Sequence, residues 1–191
     1  MLTAFADPVF DSQRTFRELL QAMARPAVPR RLPVVPPSPA AVAPEAMAIL
    51  LTLCDAATSI WLQRPDAEAV DHLRFHTGLR LADQPQQADF ALIDDPASMP
   101  ALACFAHGDP RYPDRSASLI VQVNGFRTDG GAHFAGPGIR DAERLSVEGL
   151  PSDFWQQRAA LSTQFPLGLD LYFVAAQQVV AMPRTTRLLE A

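Results

Sequence analysis

The sequence predicts an α/β protein, a three-layer α/β/α sandwich built on a mixed sheet. Short branched runs alternate with helix-period segments through the middle of the chain, the order that feeds a sheet and covers its faces. Near the end the alternation stops. Two apolar runs, 167–174 and 179–182, flank Gln177 and Gln178 and read as an antiparallel hairpin. In the first run Leu167, Leu169, Leu171 and Phe173 alternate with Gly168, Asp170, Tyr172 and Val174, the period of a strand with one strongly apolar face. Pro183 cannot donate to a ladder, so the sheet ends there.

The chain has 191 residues, 48% hydrophobic and 19% charged, which fits one folded domain over 1–191. A net charge of −5 argues against a nucleic-acid or anionic-membrane binder. No stretch approaches the roughly 18 unbroken apolar residues of a spanning helix, and no basic region precedes an apolar run at the start. The expected location is the cytoplasm. All 16 basic residues are arginine. Without lysine there is no Schiff-base chemistry, no covalent pyridoxal phosphate site and no P-loop lysine, so no cofactor is expected. Cys54 and Cys104 lie in apolar surroundings without a CxxC pattern and read as small buried hydrophobes.

A first helix is expected over 12–23, capped by Asp11 or Ser12, with Phe16, Leu19, Leu20 and Met23 on its buried face. Seven prolines between positions 26 and 44 stiffen an extended crossing with room for one short edge strand. Pro44 opens a second helix, 45–54, whose apolar residues run most of the way round. A strand follows over 59–62. Asp66 then caps a helix that Gly78 stops, with Ala69, Val70, Leu73 and Phe75 as its buried stripe. A strand over 89–93 leads to a helix over 96–105, and HGDPRYPDR (107–115) reads as a polar loop. The branched run 118–123 is a central strand. Asp129-Gly130-Gly131 predicts a tight hairpin turn between strands carrying Phe126 and Phe134. The last helix is expected over 152–161.

Four features invite a chemical reading. Arg184, Thr185 and Thr186 leave the last buried strand together, and a guanidinium fork with two hydroxyls matches an anion. The commoner outcome at a strand exit is an arginine that caps backbone carbonyls. Arg74 and His76, crowded at a helix end, are the groups expected to face that corner. His72 and His76 share a helix face, but with no third ligand and no HExxH glutamate, surface or hydrogen-bonded histidines are preferred and no metal is expected. Asp94 and Asp95 at a strand end suggest a metal or a base, or more simply a helix cap. Gly136-Pro137-Gly138 follows a strand but fits no phosphate-loop pattern, so a structural turn is preferred.

Six stretches in order, FRELLQAMARP (16–26), LLTLCDA (50–56), LRFHTG (73–78), AGPGI (135–139), FPLGLDL (165–171) and MPRTT (182–186), resemble the PhnH family of the carbon–phosphorus lyase machinery. The resemblance implies a fold similar to the pyridoxal-phosphate-dependent transferases but without the cofactor site. It also implies a component of alpha-D-ribose 1-methylphosphonate 5-triphosphate synthase, which moves the ribose triphosphate of ATP onto methylphosphonate. The implied partners are a second copy, as a homodimer, and subunits of the PhnG, PhnI and PhnJ types. The chain alone is not expected to be catalytic, and no catalytic residue is carried over. The readings kept beside it are a free-standing enzyme for a phosphorylated ligand, acting through Arg184, Thr185, Thr186, Arg74 and His76, and a cofactor-free binding module.

Overall fold

The computed structural model describes residues 2–190, with the side chain of Glu190 left aside. Its first helix, α1 (Pro8–Ala24), starts four residues earlier than expected. Asp7 is the cap: its carboxylate accepts from Phe10 N at 3.1 Å, while Asp7 N donates to Asp11 at 3.0 Å. Pro8 takes the first helical position, where its missing N–H costs nothing. The inward face also differs from expectation. Thr15, Leu19 and Ala22 are buried, whereas Phe16 and Leu20 stand in solvent.

The proline-rich crossing does carry an edge strand, β1 (Arg30–Arg31). It is followed by α2 (Pro44–Leu53), β2 (Ser59–Leu62), α3 (Ala67–Thr77) and β3 (Arg80–Leu81). α3 matches its capping signals: Asp66 accepts from Ala69 N at 3.0 Å, and Gly78 closes the helix at φ 73°, but Phe75, expected inward, stands in solvent while His72 is buried. β4 (Phe90–Ile93) comes next. The helix expected over 96–105 is instead two short 3-10 turns, Pro96–Ser98 and Leu102–Cys104, separated by Pro100. A proline there removes an N–H and disfavours helix at the residue before it. The loop expected at 107–115 folds as a hairpin of β5 (His107–Asp109) and β6 (Tyr112–Ser116).

The remaining elements are β7 (Ser118–Gln122), β8 (Gly125–Ala135), β9 (Glu143–Glu148), α4 (Phe154–Ser162), β10 (Asp170–Ala175), β11 (Gln178–Met182) and β12 (Arg187–Glu190). Asp129-Gly130-Gly131 does not reverse the chain. It forms an irregularity inside β8, which pairs with β9 on both sides of it, and the actual reversal lies beyond Ala135. The C-terminal hairpin is as expected, but its turn is Ala176-Gln177, both at positive φ without a glycine. The Glu45 carboxylate reaches across from α2 to accept from Gln177 N and holds that turn.

The main sheet is mixed, with seven strands in the order β1-β11-β10-β7-β4-β2-β3. The five from β10 to β3 are parallel, β11 pairs antiparallel with β10, and β1 pairs antiparallel with β11. β10 is buried on both faces, not one. Tyr172 and Val174 pack with Leu19, Leu50 and Leu73 of the three helices α1–α3. Leu171 and Phe173 pack on the opposite side with Phe134, Leu145 and Phe154. The α/β/α expectation therefore holds on one face only. The other face is covered by α4 together with the three-stranded sheet β12-β8-β9. Among the described residues no helix is long and apolar enough to cross a membrane.

Candidate functional site

In open parallel sheets the usual site is the crevice at the carboxyl ends of the strands, where the strand order reverses. Here that point lies between β2 and β4, and it is filled. Ala41, Val42, Gln63, Arg64 and Asp94 leave a void of only about 10 Å³, and Arg64 Nε lies 2.7 Å from Asp94. Asp95 accepts from Ser98 Oγ at 2.8 Å in the turn that follows. The acidic pair is therefore committed to an ion pair and a turn.

Space opens at the other edge of the sheet, where β7 and β10 begin. A cleft of about 580 Å³ is lined by Met23 and Ala24 of α1, Ser118, Asp170, Tyr172, Pro183, Thr185 and the Pro137-Gly138 loop. A second hollow of about 320 Å³ lies beside it, lined by Ser162, Phe165, Arg184 and Arg187, and shares Pro137 and Thr185 with the first. Four of the family-like stretches, FRELLQAMARP, AGPGI, FPLGLDL and MPRTT, converge on this corner. The glycine loop is wedged in place: a Cβ on Gly136 would meet Thr185 O at 2.9 Å, and one on Gly138 would meet Ala24 O at 2.2 Å. It is a close-approach turn between α1 and the strand exit.

Arg184 is the structural centre of the corner. Its Nη2 donates to Asp170 Oδ2 at 2.6 Å and to Ser116 Oγ, and Nη1 donates to the carbonyls of Pro113 and, at 3.4 Å, Pro166. Arg184 N also donates to Asp170, at 2.8 Å. The commoner reading of an arginine at a strand exit therefore describes this one, with a carboxylate added: its fork is engaged by protein groups. Thr186 is buried, and its N–H closes the turn onto Pro183 O at 2.9 Å, so its hydroxyl is not presented to the cleft. Thr185 does line it. Arg74 and His76 lie elsewhere. β2, beside α3, is three strand spacings from β10, roughly 14 Å before any side chain is counted. His76 Nε2 instead sits 3.4 Å from Leu2 O.

Beneath the corner lies a residue with no local signal. Arg158 of α4 is 4% exposed and donates to Pro183 O at 2.5 Å and Met182 O at 3.4 Å. Burial, with Arg184 adding to it and Asp170 opposing, pulls its guanidinium down to about 10, still fully charged at neutral pH. Asp170 had a legible signal, a carboxylate interrupting an apolar strand, and its placement beside two arginines explains it. Burial and the nearby Asp170 push the Tyr172 phenol up to about 12, so it stays protonated at neutral pH. Burial likewise pushes the Cys54 thiol up to about 12, which keeps it an inert thiol, whereas Cys104 is exposed, against expectation.

His72 is also unlike its expectation. It is 1% exposed, and among the described residues neither ring nitrogen has a hydrogen-bond partner. Burial, then the neighbouring His76, hold its pKa below the ordinary 6.5, with Glu68 acting in the opposite direction. The unfolded chain then binds the proton more readily than the folded one. The stabilisation is complete above about pH 6.5 and is lost as pH falls below it. Denaturant midpoints measured from pH 7.5 down to 5 should fall with acid. A His72→Leu variant should flatten that slope, and an unchanged slope would rule His72 out as its source.

Ser118, Tyr172 and Thr185 bring three hydroxyl-bearing side chains to the cleft, and Asp170 and Arg184 bring a matched ion pair. Among the described residues no group of three His, Cys, Asp or Glu could hold a metal. These features define an α/β protein with a hydrogen-bonding cleft at the amino-terminal edge of its sheet. The chain belongs to the PhnH family: it matches the family described as bacterial phosphonate metabolism protein (PhnH) over residues 3–189. It is 37% identical over 187 residues to the alpha-D-ribose 1-methylphosphonate 5-triphosphate synthase subunit PhnH of Rhizobium meliloti (strain 1021), covering 97% of this chain and 94% of that one. It is 30% identical over 176 residues to the putative C-P lyase subunit protein HtxG of Stutzerimonas stutzeri, covering 92% of this chain and 85% of that one.

Proposed function

We propose that this protein is a subunit of a carbon–phosphorus lyase assembly, required with partner subunits for transfer of the ribose triphosphate of ATP to methylphosphonate. The observation that carries the proposal is the near full-length match to a relative whose name specifies that synthase. In this reading the chain works in the cytoplasm as a homodimer joined to PhnG-, PhnI- and PhnJ-type subunits. Its fold is a cofactor-free variant of the pyridoxal-phosphate-dependent transferase fold, in keeping with a chain that has no lysine to form an aldimine. The chain alone contributes binding and shape, and the active assembly contributes the chemistry.

The test is genetic and physical together. In a host lacking its own PhnH subunit, this chain should restore growth on methylphosphonate as sole phosphorus source and co-purify with the host's remaining subunits. A soluble, well-expressed chain that does neither would overturn the proposal. A second reading, a free-standing binder of a small phosphorylated ligand, is favoured by the two adjoining hollows with Arg187 at the rim of one. Calorimetric binding of ATP by the isolated chain, lost on Thr185→Val, would support it.

A further inference from the structure

The outward face of α1 is apolar where a surface helix is normally polar. Val9, Phe16 and Leu20 are 75%, 45% and 51% exposed and, at offsets of seven and four residues, lie on one side of the helix. Met23 continues the same side one turn on, and Met23 lines the cleft. The row therefore runs roughly 21 Å along α1, about four turns, and ends at the cleft mouth. Its inward neighbours Thr15, Leu19 and Ala22 already satisfy the core. Met23 packs against the core as well, but the exposed Val9, Phe16 and Leu20 are left without a partner in this chain.

The charge that flanks the row is positive. Arg17 is exposed three positions before Leu20, whereas Arg14 lies on the other side of α1 and Arg25 follows the helix. The helix's own carboxylates are withdrawn: Asp11 is buried at the cap, 3.8 Å from Arg14 Nη1, and Glu18 is tied to Arg30 at 2.8 Å. A basic apolar face stands out on a chain of net charge −5. A second copy is a poor occupant, because two-fold pairing of α1 on α1 about the middle of the row would bring Arg17 against its own copy.

We infer that the outward face of α1 docks an amphipathic helix of a partner subunit, with an apolar stripe flanked by carboxylates. The inference rests on the assembly reading above and names the surface through which it is made. Four turns of contact suit a helix laid along α1. Because the row ends at Met23 and Ala24, the docked helix forms the missing wall of the cleft. The hydroxyls of Ser118, Tyr172 and Thr185 then face a space shared by two chains.

The experiment uses the full chain co-expressed with the other subunits of the assembly. Phe16→Asp with Leu20→Asp replaces exposed side chains, so the isolated double variant should keep the wild-type thermal midpoint. Its co-elution with the other subunits should fall at least tenfold. Arg17→Glu should weaken co-elution as well, and added salt should weaken the wild type more than that variant. Full co-elution of the Asp double variant would overturn the inference and leave the assembly reading intact. No co-elution by the wild type would overturn both. Self-association abolished by the Asp pair would make the occupant a second copy, and flotation of the wild type but not the variant with phosphatidylglycerol vesicles would make it a lipid surface. Either result would overturn the proposed partner.

Discussion

Replacing Asp170 with alanine is expected to destabilise this protein by about 3 kcal/mol, lowering its midpoint by roughly 6–12 °C. The carboxylate opens β10 and accepts from Arg184 Nη2 at 2.6 Å and Arg184 N at 2.8 Å. It is also the acid opposed to Arg158, which burial and the neighbouring Arg184 both disfavour as a cation. Removing it leaves two guanidiniums in one partly desolvated corner, and leaving one partner of such a pair unmatched costs far more than the intact pair contributes. The side chains of Arg184 and Asp170 are 17% and 23% exposed, so water moderates the loss below that of a fully buried pair. Thermal melts of Asp170→Ala, Arg184→Met and the double variant provide the check. The double variant should be destabilised by less than the sum of the singles. A loss below about 1 kcal/mol for Asp170→Ala would mean that the pair does not hold the corner.

Gly138→Ala is expected to cost a similar amount, about 3 kcal/mol, for a different reason. Gly138 sits at φ +86°, and an added Cβ would lie 2.2 Å from Ala24 O and 2.9 Å from Pro26 Cδ. The first of these is main chain at the end of α1 and cannot rotate away. Either the 135–139 loop lifts or α1 shifts, and both line the cleft. Gly130 supplies the control. No atom lies within 4 Å of a Cβ placed there, so Gly130→Ala should be neutral or slightly stabilising. Chemical denaturation of the two variants separates them. Equal midpoints would show that the loop is not wedged.

Both residues lie in stretches that the family resemblance had marked, yet neither role could be read from those stretches alone. The sequence pointed to the corner through MPRTT and left Arg184 between an anion ligand and, more commonly, a cap on backbone carbonyls. The fold instead brings Asp170, fourteen positions earlier, beside it in space. A carboxylate and an arginine on neighbouring strand ends meet only after β10 and β11 pair. Arg74 and His76 show the converse error, since sharing an interest in anions does not place two groups on neighbouring strands.

Local signals determined what local physics controls. Asp66 and Gly78 fixed α3 because capping and a left-handed residue act within one turn. Pro183 fixed the end of β11 because a missing N–H acts at its own position. The parallel strands β2, β4, β7 and β10 were legible from their branched apolar runs, though the two-residue β3 was not, and the absence of lysine bounded the chemistry whatever the fold. Tertiary structure alone decided which sides of those elements face inward. Phe16 and Leu20 have the spacing of a core face, but α1 turns Leu19 and Ala22 to the sheet, because an apolar row does not say what it packs against. The second covering layer was likewise invisible. Asp129-Gly130-Gly131 has the chemistry of a hairpin turn, yet β8 resumes pairing with β9 beyond it and the two strands cover the face expected to carry helices. His72 and Arg158 became buried polar groups through that same packing, since burial is set by long-range neighbours that no window of sequence contains.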